Sequence, residues 1–250
     1  MSIFNRTTLK GFFQKGRMPS GEHFSNLIDS TINKIDDGFA KTVEHGLKLV
    51  PGGGSQKLMS FYDDIKEKDP LWDLSLNPGE SIEGLSISEK DKGSVLFLQN
   101  GGEVGIGTTS PKYHLDVNGA TAAKCRVGTY QKKSEVPADG EWHIIIDDLE
   151  GCNAFEVVAK VKAVQKRGKY AMTHAIATCA GSWFGSSINT TSAFYGGFWN
   201  KIKLRWKISR NGKYRLEIKT WTHYETDNDN NVIQIKYHIT SLWDDRLDNE

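Results

Sequence analysis

Along the first forty positions, apolar residues recur at three-and-four spacing. Leu9, Phe12 and Phe13 share one helical face, and Gly16 through Pro19 stop that helix. Ser20 then acts as an N-cap before Glu22 and opens a second helix. Its stripe is Phe24, Leu27, Ile28, Thr31 and Ile35, closed by Asp36, Asp37 and Gly38. The spacing predicts a short helical hairpin over residues 1–40. An apolar stripe this small does not hold a domain together alone, so the hairpin is expected to dock on a partner or on copies of itself.

From Gly46 to about Gly119 the period shortens. LKLVPGGGS, LMSFYD, LWDLSLNPGES, GLSIS, SVLFLQNGGEVGIG and YHLDVNG are brief apolar runs separated by Asn-Pro-Gly, Asn-Gly-Gly and Asn-Gly turn signals. This text predicts a ladder of small strands over residues 41–127. None is long enough to bury a core within one chain, so wrapping with identical chains, an intertwined trimeric β shaft, is the economical solution.

The remainder, residues 128–250, predicts an antiparallel β-sandwich head. WHIIIDD, AFEVVAKVKA, YAMTHAIAT, FWNKIKLRWKIS, KYRLEIKTWTHYE and VIQIKYHIT are strand-like runs. Between Lys201 and Ile208 every second residue is cationic, and Ile202, Leu204, Trp206 and Ile208 alternate with them, the period of a half-buried strand. Asn211-Gly212 supplies a hairpin turn. After a looser reversal at Asp227 to Asn231, the residues Ile233, Ile235, Tyr237 and Ile239 resume the buried face. The fold class is therefore mainly β, with a small helical start.

Composition narrows the function. The chain has 250 residues, enough for a core, and 32 basic against 31 acidic residues, a formal charge of +1. That balance argues against nucleic acid as a partner, and the second helix of the hairpin carries Asp29, Asp36 and Asp37 beside only Lys34, a poor DNA-reading surface. No stretch is long and apolar enough for membrane insertion, and Met1 to Lys10 lacks the apolar core of a secretory signal. Cys125, Cys152 and Cys179 form no Cys-x-x-Cys pair and are expected to be buried free thiols.

Catalytic and cofactor motifs are weak. Gly105-Ile106-Gly107 starts like a dinucleotide fingerprint, but Ser110 replaces the third glycine and Pro111 stands where a helix should be under way. A structural use of the glycines, for positive φ and close backbone approach, fits better. His174 and His238 lie in apolar strand text and are expected in the core or at an interface. Asp227 to Asn231 resembles the start of a calcium loop without its central glycine, and a hairpin loop is the preferred reading. No cofactor, metal or catalytic residue is assigned. The segment GSWFGSSINTTSAFYGGFWN is too rich in rings for an ordinary solvated loop. Trp183, Tyr195 and Trp199, beside Ser, Asn and Thr, would suit sugar rings; they would equally pack a trimer interface or cap the sandwich core.

The sequence VGIGTTSPKYHLDVNG, from Val104 to Gly119, resembles the shaft motif of bacteriophage tail fibres, trimeric adhesin-like proteins and fibre components of extracellular contractile injection systems. Gly105, Gly107, Pro111, Asn118 and Gly119 occupy the motif's expected places. FFQKGRMPSGEHFSNLIDSTINKIDDG is similar to the particle-attachment segment of such proteins, with Phe12, Phe13, Phe24, Leu27 and Ile28 as its docking residues, and LMSFYDDIKEKDPLWDLSLNP resembles their intervening repeats. The resemblance implies a homotrimer attached through its N-terminus to a baseplate or other particle protein. A distal head would meet a target-surface glycan or other receptor. It also implies an extracellular particle component made in the cytoplasm without a signal peptide. The self-cleaving chaperone domain that ends many such fibres has no counterpart here. Two other readings stand beside it: an internal cap or collar adaptor, and a carbohydrate-active enzyme using Glu217 and Glu225.

Overall fold

A computed structural model of the chain describes residues 4–33, 36–52, 54–64, 66–79, 83–164, 168–181, 185–208 and 212–244. The fold is mainly β, with two short helices and several antiparallel sheets. It divides into two units, Met1–Ala122 and Ala123–Glu250. Among the described residues no helix is long and apolar enough to cross a membrane.

Helix α1 (Arg6–Phe12) starts where the Asn5 side chain accepts from the Thr8 amide at 2.9 Å. Helix α2 (Gly21–Asp29) starts at Ser20, whose hydroxyl accepts from the His23 amide while His23 Nδ1 accepts from the Ser20 amide. That reciprocal pair is a capping box with histidine in the place usually held by Glu or Gln. Across the hairpin Phe12 stacks on His23 at 4.3 Å and Phe13 meets Phe24 edge-on at 5.3 Å. Helix α2 stops at Asp29, short of the extent that the apolar spacing suggests. The Thr31 hydroxyl donates to the Ile28 carbonyl at 2.8 Å, a local bond that competes with further helix, so Thr31 lies beyond the end. Ile35 is outside the described residues.

Strands β1 (Phe39–Thr42) and β2 (Gly46–Leu49) form a separate hairpin; β1 is too short and too mixed to show a period. The expected ladder then follows: β3 (Lys57–Phe61), β4 (Trp72–Leu76), β5 (Gly84–Glu89), β6 (Gly93–Gln99), β7 (Val104–Ile106) and β8 (Leu115–Val117). They pair in chain order as one six-stranded sheet within the single chain, antiparallel except for β7 and β8, which are parallel.

Register decides what each face of this sheet carries. One row runs Leu76, Leu85, Leu98, Val104, Leu115, and the next runs Met59, Leu74, Ile87, Leu96, Ile106, Val117. Directly opposed residues share a face, so both rows, with the Phe61–Trp72 pair, lie on one side. None of these residues is buried. The other side carries Ser60, Asp73, Ser75, Ser86, Ser88 and Phe97, and Phe97 is the buried hydrophobic of the sheet among the described residues.

In the second unit, β9 (Glu135–Pro137), β10 (His143–Leu149), β11 (Cys152–Lys162), β12 (Tyr170–Ala180), β13 (Ser187–Tyr195), β14 (Ile202–Ile208), β15 (Tyr214–Thr220) and β16 (Gln234–Asp244) make two sheets. One has the order β13-β12-β11-β16-β9, the other β10-β15-β14. They close on a shared core of Phe155, Val157, Leu216, Ile218, Ile235 and Ile239. Ile233, Ile235, Tyr237 and Ile239 are all buried, as their alternation predicts. In β14, Ile202 is buried, Leu204 and Trp206 pack against the core from its margin, and Ile208 reaches its exposed end.

Within the ring-rich segment, residues 187–195 form the edge strand β13, in register with β12 from Thr178↔Ser187 to Tyr170↔Tyr195. One expectation is corrected. Of the cysteines only Cys179 is buried; Cys125 and Cys152 are exposed. Of the two places expected for His174 and His238, the core is excluded. They point outward from β12 and β16, because inward positions alternate through Thr173, Ala175, Tyr237 and Ile239.

Candidate functional site

The rings singled out in the sequence gather, in part, where β13 turns into β14. Tyr195 ends β13, 67% exposed and edge-on to Tyr170 at 6.1 Å. The chain then passes through Gly196 and Gly197 into a 3-10 turn, Phe198–Asn200. Gly196 has φ +87°, and a Cβ on Gly197 would stand 2.1 Å from Trp199 Cε2, so the indole folds back over space that only glycine leaves open. Asn200 holds the turn: its Nδ2 donates to the Tyr195 carbonyl at 2.8 Å, and its own carbonyl accepts from the Tyr224 hydroxyl at 2.6 Å. Burial pushes the fully enclosed Tyr224 phenol up to about 12. Trp183 lies outside the described residues.

Trp199 is 49% exposed and does not stand alone. Phe198 meets it at 4.8 Å and meets Trp221, at the end of β15, at 5.8 Å. Trp221 and Trp142 are functional candidates that the sequence reading passed over. The available signal was a tryptophan at the margin of a strand, in KTW and in EWHIII.

Beside the rings lies the outer face of β14 and β15. Three cross-strand pairs face outward there: Lys203↔Lys219, Arg205↔Glu217 and Lys207↔Arg215. Glu217 is buried at 2% exposure although it lies on the outward side. Arg205 Nε donates to its Oε2 at 2.7 Å, and Arg215 Nε lies 2.7 Å from Oε1, paired in charge though not aligned for a hydrogen bond. Aromatic faces hold the cations: the Lys203 ammonium is 3.3 Å from the centre of the Trp221 ring, and the Arg205 guanidinium 4.0 Å from that of Trp142.

Both carboxylate oxygens of Glu217 are thus taken by guanidinium groups, and Glu225 pairs with Lys169 at 3.2 Å. The geometry gives each its own cation rather than a shared substrate. Among the described residues no group of three His, Cys, Asp or Glu is placed to hold a metal ion. Asp227 has its Oδ1 engaged by the amides of Asp229 and Asn231, closing the hairpin loop. Those backbone bonds, the Asn231 amide foremost, hold its carboxyl below the usual range.

In the first unit, Phe12 and Leu27 are half-buried while Phe13, Phe24 and Ile28 are exposed. In the motif segment a Cβ on Gly105 would stand 2.2 Å from the Thr108 carbonyl oxygen. Gly107 has φ +69°, and its carbonyl accepts from Asn118 Nδ2 at 3.2 Å. Pro111 is buried. Gly119 has neither a positive φ nor a neighbour that excludes a side chain, and nothing in the structure explains it. No helix follows these glycines, so they do not make a dinucleotide cradle; they shape the turn that brings β8 alongside β7. No protein-family model matches the chain, and no curated protein matches it.

Proposed function

We propose that this chain is a subunit of a homotrimeric, non-enzymatic fibre protein of a phage-tail-like contractile particle. The helical hairpin attaches it to a baseplate or other particle protein, and the sandwich is a head that binds a target surface. The observation that carries the reading is the apolar face of the six-stranded sheet. Leu76, Leu85, Leu98 and Val104 stand in one row and Leu74, Ile87, Leu96 and Ile106 in the next; none is buried in the single chain, and Leu76, Ile87, Leu98 and Ile106 are exposed. A contiguous apolar surface of that extent marks an association site. Copies of the same chain cover it at no cost in new sequence, and closed symmetry satisfies every copy alike. The choice of three, and of a particle, rests on the resemblance of VGIGTTSPKYHLDVNG to fibre shafts.

The exposed Phe13–Phe24 pair and Ile28 support attachment through the hairpin, since helices of seven and nine residues are marginal without a surface to pack on. The exposed rings Tyr195, Phe198, Trp199 and Trp221 support a recognition role for the head. Three heads in one particle would convert weak single contacts into firm adhesion. Light scattering on the purified chain at micromolar concentration tests the reading. The expected mass is three times 28.0 kDa, and a monodisperse single chain overturns it.

A further inference from the structure

The outer face of β14 and β15 is built against its own stability. Lys203 stands directly opposite Lys219, and Lys207 directly opposite Arg215, whereas like charges in such positions repel. Among the described residues Glu217 is the carboxylate that answers these cations, and its two oxygens are already spent on Arg205 and Arg215. Lys219 donates to the Gly140 carbonyl at 3.3 Å, and Lys203 rests on the Trp221 ring. Among the described residues the face therefore presents an excess of positive charge over its one carboxylate, with Lys203 held on the Trp221 ring and Arg205 on the Trp142 ring.

We propose that this face, with the Phe198–Trp199–Trp221 cluster at its end, binds a carboxylate-bearing saccharide of the uronic or sialic acid kind. The proposal rests on the reading of the sandwich as a surface-binding head and assigns its ligand chemistry. The sugar ring lies on the exposed indole of Trp199 and the edge of Phe198, and its carboxylate is taken by Lys203 and Lys219. Charge and apolar surface adjoin here: the Lys203 ammonium lies on the Trp221 ring, which Phe198 joins to Trp199. An acid carbon bonded directly to a pyranose ring places its charge just as near its apolar C–H face. Lys207, about 13 Å further along β14, meets the carboxylate of a sugar further along the chain.

The ring geometry separates a saccharide from a single-stranded nucleic acid. Phe198 meets Trp199 at 62° and Trp221 at 86°, so neither indole lies parallel to the Phe198 ring to continue a stack of successive bases. A saccharide needs one face.

The test measures retention of the full chain on immobilised polygalacturonate, neutral dextran, a phosphate-bearing teichoic acid and a single-stranded oligonucleotide. The expected result is selective retention on polygalacturonate, weakened several-fold between about 50 and 200 mM salt. Lys203→Gln with Lys219→Gln should weaken it at least tenfold, and so should Trp199→Ala. Lys207→Gln, at the exposed end of β14, serves as the milder second variant, with a loss of about threefold. Unchanged solution mass and an undiminished unfolding temperature show that each variant is folded. Equal retention on dextran, untouched by the lysine changes, overturns the acidic ligand but leaves a surface-binding head. Preference for the oligonucleotide or the teichoic acid overturns the carboxylate assignment. No retention on any of the four overturns this ligand class, while the trimer stands or falls on its measured mass.

Discussion

Tyr224 shows how a single residue governs the site. It is fully buried, and its hydroxyl donates to the carbonyl of Asn200, whose side chain in turn ties down Tyr195. Tyr224→Phe leaves that buried carbonyl without its donor, so the variant should lose about 1–3 kcal/mol of stability by denaturant unfolding, with the rings near Trp199 loosened in fluorescence. The phenol also makes stability pH-dependent in a defined direction. Its pKa is raised from 10.0 to about 12, so the unfolded chain ionises first. Its contribution is whole below pH 10 and is lost as pH rises towards 12, and Tyr224→Phe should abolish that part of the alkaline decline. None of this was legible beforehand, because nothing in GGFWN says that the asparagine will be the buried member and the tryptophan the exposed one.

At the scale of elements, alternation was the most readable signal. Lys201 to Ile208 and Ile233 to Ile239 read as half-buried strands, and both are strands whose apolar positions turn to the core. Their partners were not readable, since pairing depends on residues far apart in the chain. That is why β13, with its Ser, Asn and Thr text, passed as ring-bearing polar sequence. The same limit hid the like-charge pairs of β14 and β15, which exist only in their register. In the six-stranded sheet, register turns scattered apolar residues into one continuous face. Ile87→Glu or Leu98→Glu places a charge in the middle of it. Either change should reduce the solution mass to that of a single chain, while the circular dichroism of the sandwich persists.

At the scale of the molecule, the two units differ in how completely they bury themselves. The sandwich has a core from both sheets, whereas the first unit keeps Leu9 and Phe97 as its buried hydrophobics among the described residues. Thermal unfolding should therefore show two transitions. The one belonging to residues 1–122 should rise with protein concentration over a hundredfold dilution series, because association stabilises it by mass action; that of the sandwich should stay constant. A first transition independent of concentration would count against self-association of the sheet. From its order of residues alone, the chain determined which segments become helix or strand and which side of each strand seeks a core, since those properties follow from local periods and turn chemistry. The tertiary structure decided which strands pair, which rings and cations meet, and that no residue of one apolar face is buried within the single chain. These are sums over residues distant in sequence, and only the closed hydrogen-bond ladder sets their registers.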